Sequence, residues 1–508
     1  MQSYTFFMKW ICLLLVLFNV LFANTRAVIF DFGGVICDAD TNRLHSFLKT
    51  SLHISDPEAK SAFEALLHTD LEISEFWKEY ALRQGWILPY DFVERLVKVI
   101  LGCVYEVPGT LPLIDDLRAA GLQVGILSNV TEEVADLIAK LGYYDGYDPL
   151  ILSYQVDMKK PDPQIFEYLL KELSLPPEEV LFIDDRIENV QAAAKFGIET
   201  IHFRTGPDLK RKCQKLGLIP EERVELGTHS LWVDTLGKKT DPAILLIAGA
   251  GCHAHFWTDE LAIELARSGY FVIRYDQRDV GLSTPYPNSY ELEDLADDIA
   301  LLLEDYGLKS AHIVGHSMGG YIAQLLAARH PSSVLTLTLV GSGPIGATNE
   351  SCQPLLPGEI KLLNETFDLI FKHRPTADFA ESLPEFIAVW EHTNGDYALD
   401  IGMVTRYVRE IYFRSQNALG FPRHHLEAIE SAMNRLEERR SIFNQIKVPT
   451  LVVHGGLDPL LLPHRGGIAL YKALPQAELK LFPKMGHMLF NRELEREFIQ
   501  TLKAFLRK

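Results

Sequence analysis

The sequence predicts an α/β protein of two domains in tandem, and three observations carry that prediction. At roughly 150 residues per domain, a chain of 508 residues amounts to about three compact units and can bury more than one core. Short apolar runs of the length of buried parallel strands recur between stretches of helical periodicity. Several of these runs end in Asp, Ser, Asn or Gly, and open parallel sheets bind ligands beyond the carboxyl ends of their strands.

Composition narrows the class. At 47% hydrophobic and 23% charged residues, the chain is neither disordered nor collagen-like nor a polytopic membrane protein. With 49 basic and 68 acidic residues its net charge is −19, and both halves contribute to the excess. So acidic a surface repels phosphate backbones, which argues against nucleic acid as a partner. The cysteines Cys12, Cys37, Cys103, Cys213, Cys252 and Cys352 form no C-x-x-C pair, so neither a zinc site nor a disulfide framework is legible.

At the N-terminus a single cation, Lys9, precedes an apolar run from Trp10 to Ala23 broken only by Asn19. Its length suits a signal-peptide core and is short for a spanning helix. It predicts an export signal over residues 1–23, cleaved after Ala23, and a periplasmic or secreted protein. Without that cleavage the chain is cytoplasmic.

In the first half, Ala27–Phe30, Gln123–Leu127, Val180–Ile183 and Thr200–Phe203 read as buried parallel strands. The first three lead into Asp31-Phe32-Gly33-Gly34, Ser128-Asn129 and Asp184-Asp185, and Lys160 adds a cation. Carboxylates can hold Mg²⁺, Ser and Lys can donate to phosphate oxygens, and a carboxylate such as Asp31 can attack phosphorus. In this order the clusters resemble the haloacid dehalogenase superfamily over residues 25–220. The resemblance implies a Rossmann-like fold, a Mg²⁺-dependent phosphatase and Asp31 as nucleophile. It also implies phosphate contacts from Ser128, Asn129 and Lys160, and metal ligands from Asp31, the Gly33 carbonyl, Asp184 and Asp185. Residues about 40–105 would be the helical cap.

One departure affects the chemistry. The family motif is Asp-x-Asp, and here Gly33 replaces the second Asp, which protonates the leaving group. Loss of general acid–base help costs about 10²–10⁴-fold. Asp38 and Asp40 are candidate substitutes. Two readings stay open, a slow or specialised phosphatase and a retained structural domain.

The polar stretch 204–215 marks the approach to a boundary near residue 220. An antiparallel hairpin is predicted next, from Val224-Glu225-Leu226 and Leu231-Trp232-Val233. Farther on, Gly315-His316-Ser317-Met318-Gly319 is a G-x-S-x-G motif between the apolar run Ala311–Val314 and a helical pattern over Tyr321–Arg329. That strand–turn–helix context is what a nucleophile elbow needs. Asp458 and His487 each follow an apolar run, Pro449–Val453 and Leu479–Phe482, in the chain order Ser, acid, His. Asp276 is a rival acid, disfavoured because it precedes the serine. Oxyanion donors are expected from Met318 and from the small-residue loop Ala248–Gly251, with Ala250 first and Gly251 next.

Residues 221–508 resemble the α/β-hydrolase superfamily, with a helical lid over about 343–440. The closest local likeness is to aclacinomycin methylesterase-like hydrolases, in 248–257, in 274–284 and at the elbow. It implies hydrolysis of a small-molecule carboxylic ester through an acyl-Ser317 intermediate, with no cofactor. The overall layout is also that of mammalian soluble epoxide hydrolases, which attack with Asp where this chain has Ser317. Three readings follow. The first is an esterase with an attached Mg²⁺-binding domain, the second a bifunctional enzyme that also takes a phosphate ester, and the third a degenerate scaffold. Acyl transfer, C–C hydrolysis and perhydrolysis share the same motif. Contact between the two halves would make a homodimer a candidate assembly.

Overall fold

The computed structural model describes residues 25–67, 71–372, 375–376, 378–414 and 422–508. The predicted export signal over 1–23 lies outside them. The chain divides into two compact units, Met1–Pro220 and Glu221–Lys508.

The first unit is built on a five-stranded sheet. Its strands, with the small pair β2 (Cys37–Ala39) and β3 (Val104–Glu106), are β1 (Ala27–Phe30), β4 (Gln123–Ser128), β5 (Leu150–Leu152), β6 (Val180–Asp184) and β7 (Glu199–His202). Their order is β5-β4-β1-β6-β7, and every neighbouring pair is parallel. Apolar side chains alternate along these strands. Val28, Phe30, Leu181 and Ile183 join the core on one face, and Ala27, Ile29, Val180 and Phe182 the core on the other. Between β2 and β3 lie the helices Thr41–Leu52, Asp56–Leu67, Ile73–Gln84 and Phe92–Cys103, packed around Leu44, Leu48, Phe76, Trp77 and Phe92. Asp40 starts the first of them by accepting from the Asn42 and Arg43 N–H groups.

The second unit holds an eight-stranded sheet, of order β15-β14-β13-β12-β10-β11-β9-β8. The strands are β8 (Arg223–Glu225), β9 (Ser230–Leu236), β10 (Ala243–Ile247), β11 (Phe271–Tyr275), β12 (Ala311–His316), β13 (Val334–Val340), β14 (Thr450–Gly455) and β15 (Ala477–Phe482). β8 and β9 form the predicted hairpin, and β9 runs antiparallel to β11. All other pairings are parallel. Leu245, Ile247, Ile313, Leu337 and Val452 face one core; Ile244, Leu246, Val314, Val340 and Val453 face the other. The helices Pro357–Lys372, Phe379–Thr393, Ile401–Arg414 and Arg423–Asn434 are inserted between β13 and β14.

Helix Met318–Arg329 begins three residues before the expected Tyr321. Gly319 and Gly320 weaken its sequence signal, because glycine is a poor helix former. They are glycines because of packing: a Cβ on Gly319 would lie 2.5 Å from the Ile247 carbonyl oxygen, and one on Gly320 would lie 2.4 Å from the Ser342 Cβ.

The C-terminal helix Arg492–Leu506 carries a buried acid, Glu495. Burial pushes its carboxyl up to about 7, against the opposing hydrogen bond from Thr258 Oγ1. The folded state therefore keeps a proton that the unfolded chain releases from about pH 4.5, so stability falls as pH rises from there to about 7. Glu495→Gln is expected to remove this slope, widening the gap over wild type to as much as about 3 kcal/mol above neutrality. Urea unfolding at pH 5 and pH 8 checks it.

Candidate functional site

In the first unit, register brings the charged residues together. Phe30 is paired with Ile126 on β4 and with Ile183 on β6, so Asp31 lies level with Asp184, and Ser128 ends the neighbouring strand. Lys160 Nζ lies 2.8 Å from Asp31 Oδ1 and 2.7 Å from Asp184 Oδ2. All three side chains are buried, as is Ser128. Burial raises the Asp31 carboxyl to about 6, against the pull of Lys160. One carboxylate oxygen from each of Asp31, Asp184 and Asp185 lies within 4.8 Å of the others. Hard oxygen donors this close are compatible with a divalent cation.

Asn129 is committed elsewhere. Its Nδ2 donates to the Lys160 carbonyl and its Oδ1 accepts from the Lys160 N–H, both at 2.8 Å. This side chain therefore fixes the backbone of Lys160. Asn189 was not singled out from sequence, where one Asn in a helix carries no signal. Its Nδ2 donates to Asp184, 3.0 Å from either oxygen. Asp38 accepts from the Tyr105 hydroxyl, and Asp40 caps a helix, so both candidate substitutes are engaged.

The Gly33 position is open, since a Cβ there meets nothing within 4 Å. Gly34 differs: its φ is +76°, and a Cβ would lie 2.6 Å from Asp185 Oδ2.

In the second unit Ser317 stands between β12 and the helix Met318–Arg329, with φ 53° and ψ −118°. A non-glycine residue in this conformation carries strain of about 1–3 kcal/mol. The turn is held by the Ser317 N–H donating to the Val340 carbonyl and by Ser342 Oγ donating to the Ser317 carbonyl, at 2.9 and 2.8 Å. His487 Nε2 lies 3.0 Å from Ser317 Oγ, and His487 Nδ1 lies 2.8 Å from Asp458 Oδ2. Asp458 Oδ1 accepts from the Leu460 and Leu461 N–H groups. Burial opposes charge on Asp458, but the His487 ring, His454 and the Leu461 N–H together hold the carboxyl below its usual value. A proton on Ser317 thus has a base within reach and an acid orienting that base.

The rival acid Asp276 is buried away from His487. It accepts from the Ala254 and Leu282 N–H groups and from Arg414. His316 donates to the His487 carbonyl at 2.8 Å and stacks on Phe256. The Ala248–Gly251 loop lies beside the serine, since a Cβ on Gly249 would come 3.3 Å from the Ser317 Cβ. Met318 is the first residue of its helix, where the backbone N–H has no partner within the helix, and among the described residues the Ala250 N–H has no protein acceptor. Gly251, the second choice, is ruled out as a donor because its N–H goes to His425 Nδ1 at 3.1 Å. Thr393 was also missed, because its role lies in the backbone: its carbonyl accepts the His487 N–H at 2.6 Å.

The family described as alpha/beta hydrolase fold matches residues 242–384, and the family described as haloacid dehalogenase-like hydrolase matches residues 25–197. The rhodomycin D methylesterase DnrP of Streptomyces peucetius is 30% identical over 285 residues, 53% of this chain and 93% of its own length. The D-ribitol-5-phosphate phosphatase of Bacteroides thetaiotaomicron is 30% identical over 201 residues, 37% of this chain and 96% of its own. The chain belongs to both families. This two-family hydrolase is also 26% identical over 245 residues to the bifunctional epoxide hydrolase 2 of Rattus norvegicus, 45% of this chain and 44% of that one. It spans less than half the length of some of its curated relatives and more than nine-tenths of others.

The two neighbouring glycines of the first site should respond differently to substitution. Gly33→Ala is expected to be neutral, within about 0.5 kcal/mol. Gly34→Ala should cost about 1–2 kcal/mol through its left-handed backbone and should displace Asp185. Thermal melts of both variants check the difference.

Proposed function

We propose that residues 221–508 form a serine hydrolase acting on a small-molecule carboxylic ester. One observation carries the reading: Ser317 Oγ, the His487 ring and Asp458 Oδ2 form a continuous hydrogen-bonded chain at 3.0 and 2.8 Å, with the serine on a strained elbow. Ser317 Oγ attacks the ester carbonyl while His487 Nε2 takes its proton. The Met318 and Ala250 N–H groups receive the negative charge on the carbonyl oxygen. Asp458 steadies the imidazolium, which returns the proton to the departing alcohol. Water, deprotonated by His487, then releases the acid from Ser317. Similarity to a rhodomycin D methylesterase favours a carboxylic ester among the bonds a serine can break. Epoxide hydrolysis is disfavoured, because a serine opening an epoxide forms an ether with no carbonyl for water to attack.

A fluorophosphonate probe tests the reading. A single adduct on Ser317 is expected, lost in Ser317→Ala. Asp458→Asn is expected to slow ester turnover by about 10⁴-fold, because the histidine loses its orienting acid. A wild-type protein left unlabelled would sink the proposal.

For residues 25–220 the geometry favours a slow phosphatase. Asp31 would attack phosphorus, while Lys160 and Ser128 would donate to phosphate oxygens. Asp31, Asp184, Asp185 and the Gly33 carbonyl would hold Mg²⁺, which when bound would neutralise phosphate charge. No side chain at position 33 protonates the leaving group. The open space at Gly33 predicts that Gly33→Asp raises the rate on an alkyl phosphate such as glycerol phosphate, whose alcohol needs a proton to leave, by about 10²-fold. Asp31→Asn should abolish it. A rate unchanged by Asp31→Asn would leave the domain a structural one.

A further inference from the structure

The loop that supplies the Ala250 N–H is held by a residue far away in sequence. His425 lies near the start of the helix Arg423–Asn434, in the insertion between β13 and β14, and is fully buried. Its Nδ1 accepts the Gly251 N–H at 3.1 Å, and its Nε2 lies 3.0 Å from the Arg278 carbonyl oxygen. A carbonyl can only accept, so the ring is in the Nε2–H form and bridges two loops with both nitrogens satisfied. Burial keeps the ring neutral down to about pH 4, so Nδ1 remains an acceptor at any working pH.

Two further contacts tie these loops together. Gln277 Nε2 donates to the Ala248 carbonyl at 2.9 Å, and Asp276 Oδ1 accepts the Ala254 N–H at 2.8 Å. The segment 248–254 is thus fixed at both ends by the turn after β11, and His425 fixes its middle. Gly251 has φ +67°, a conformation that an unrestrained glycine leaves readily. Rotation at that residue would turn the Ala250–Gly251 peptide and pull on Ala250, whose own N–H lies in the peptide before it.

We propose that His425 is a positioning residue for the oxyanion hole: by capturing the Gly251 N–H it holds the Ala248–Gly251 loop so that the Ala250 N–H faces Ser317. Seating the inserted helix Arg423–Asn434 therefore completes the hole. The inference rests on the serine-hydrolase reading.

Two near-isosteric variants separate the two hydrogen bonds of the ring. The Asn Oδ1 stands near the place of Nδ1 and can still accept from Gly251. The Gln Nε2 stands near the place of the ring Nε2 and can still donate to Arg278, while the acceptor for Gly251 is lost. The rate of Ser317 labelling by a fluorophosphonate is measured for wild type, His425→Asn, His425→Gln and His425→Ala, alongside each urea midpoint. His425→Gln and His425→Ala should label about 10–100-fold more slowly, a fraction of the loss from deleting an oxyanion donor outright. His425→Asn should stay within about threefold of wild type, even where its midpoint falls as far as that of the Gln variant. Equal labelling of all four proteins, or Asn labelling as slowly as Gln, would overturn the proposal. If wild type does not label at all, the serine-hydrolase reading fails, and this inference falls with it.

Discussion

Ser317 holds a backbone conformation that its own chemistry disfavours, at φ 53°, and much of the second unit is arranged so that it cannot relax. Relaxation is blocked on several sides. A Cβ on Gly315 would lie 2.2 Å from the Gly319 carbonyl oxygen, so strand and helix meet at backbone-to-backbone distance around the turn. The Ser317 N–H is taken by Val340 at the end of β13. The parallel register of β10, β12, β13 and β14 then delivers the other parts. The loop after β10 reaches the serine from one side, and the loops after β14 and β15 bring Asp458 and His487 from the other. Strain of this kind is sustained by a large sheet whose central strands are buried, and here the helices against both its faces are packed on apolar side chains.

The helices between β13 and β14 do more than cover this arrangement. The Thr393 carbonyl, where one of them ends, accepts the His487 N–H, and Arg414, where another ends, pairs with buried Asp276. Asp276 in turn holds both the 254 loop and the turn at Leu282. A buried ion pair gains little over an apolar contact of the same volume, but leaving either partner alone is costly. Such a pair therefore fixes position more than it adds stability. The insertion is anchored to the loops around Ser317 and His487, so a change in its seating reaches Ser317 through the backbone.

The sheets and the three carboxyl-end clusters of the first unit were legible because alternation along strands and polar residues at their ends are local patterns. Ser317, Asp458 and His487 were legible for a different reason: each follows a strand, and their chain order is restrictive. The engagement of the Asn129 side chain with Lys160 was not legible, because Lys160 is its neighbour through the path of the chain and not through spacing. His425, Thr393 and Asn189 left no trace in the sequence, since their roles consist of single hydrogen bonds to backbone or to a residue on another element. The early start of the helix at Met318 was hidden because Gly319 and Gly320 answer to close packing, which outweighs helix propensity there.

The first unit poses an energetic question that bears on whether it is only a scaffold. Asp31, Asp184 and Lys160 are 7%, 0% and 3% exposed, and the ammonium lies between the two carboxylates. Desolvating three charges costs several kcal/mol per ion, and mutual attraction returns that only with good geometry. Asn189 and the Arg186 N–H are both spent on satisfying Asp184. A purely structural core has no need of this cluster, because well-packed apolar residues of similar volume would serve as well or better. The proposed phosphatase reading accounts for the cluster, because a cation and a phosphate would call for charged groups at the end of a strand. Gly33 removes the acid that would speed the departure of the leaving group, yet it leaves the charged cradle intact. These terms are the physical support for the proposed slow phosphatase over a purely structural domain.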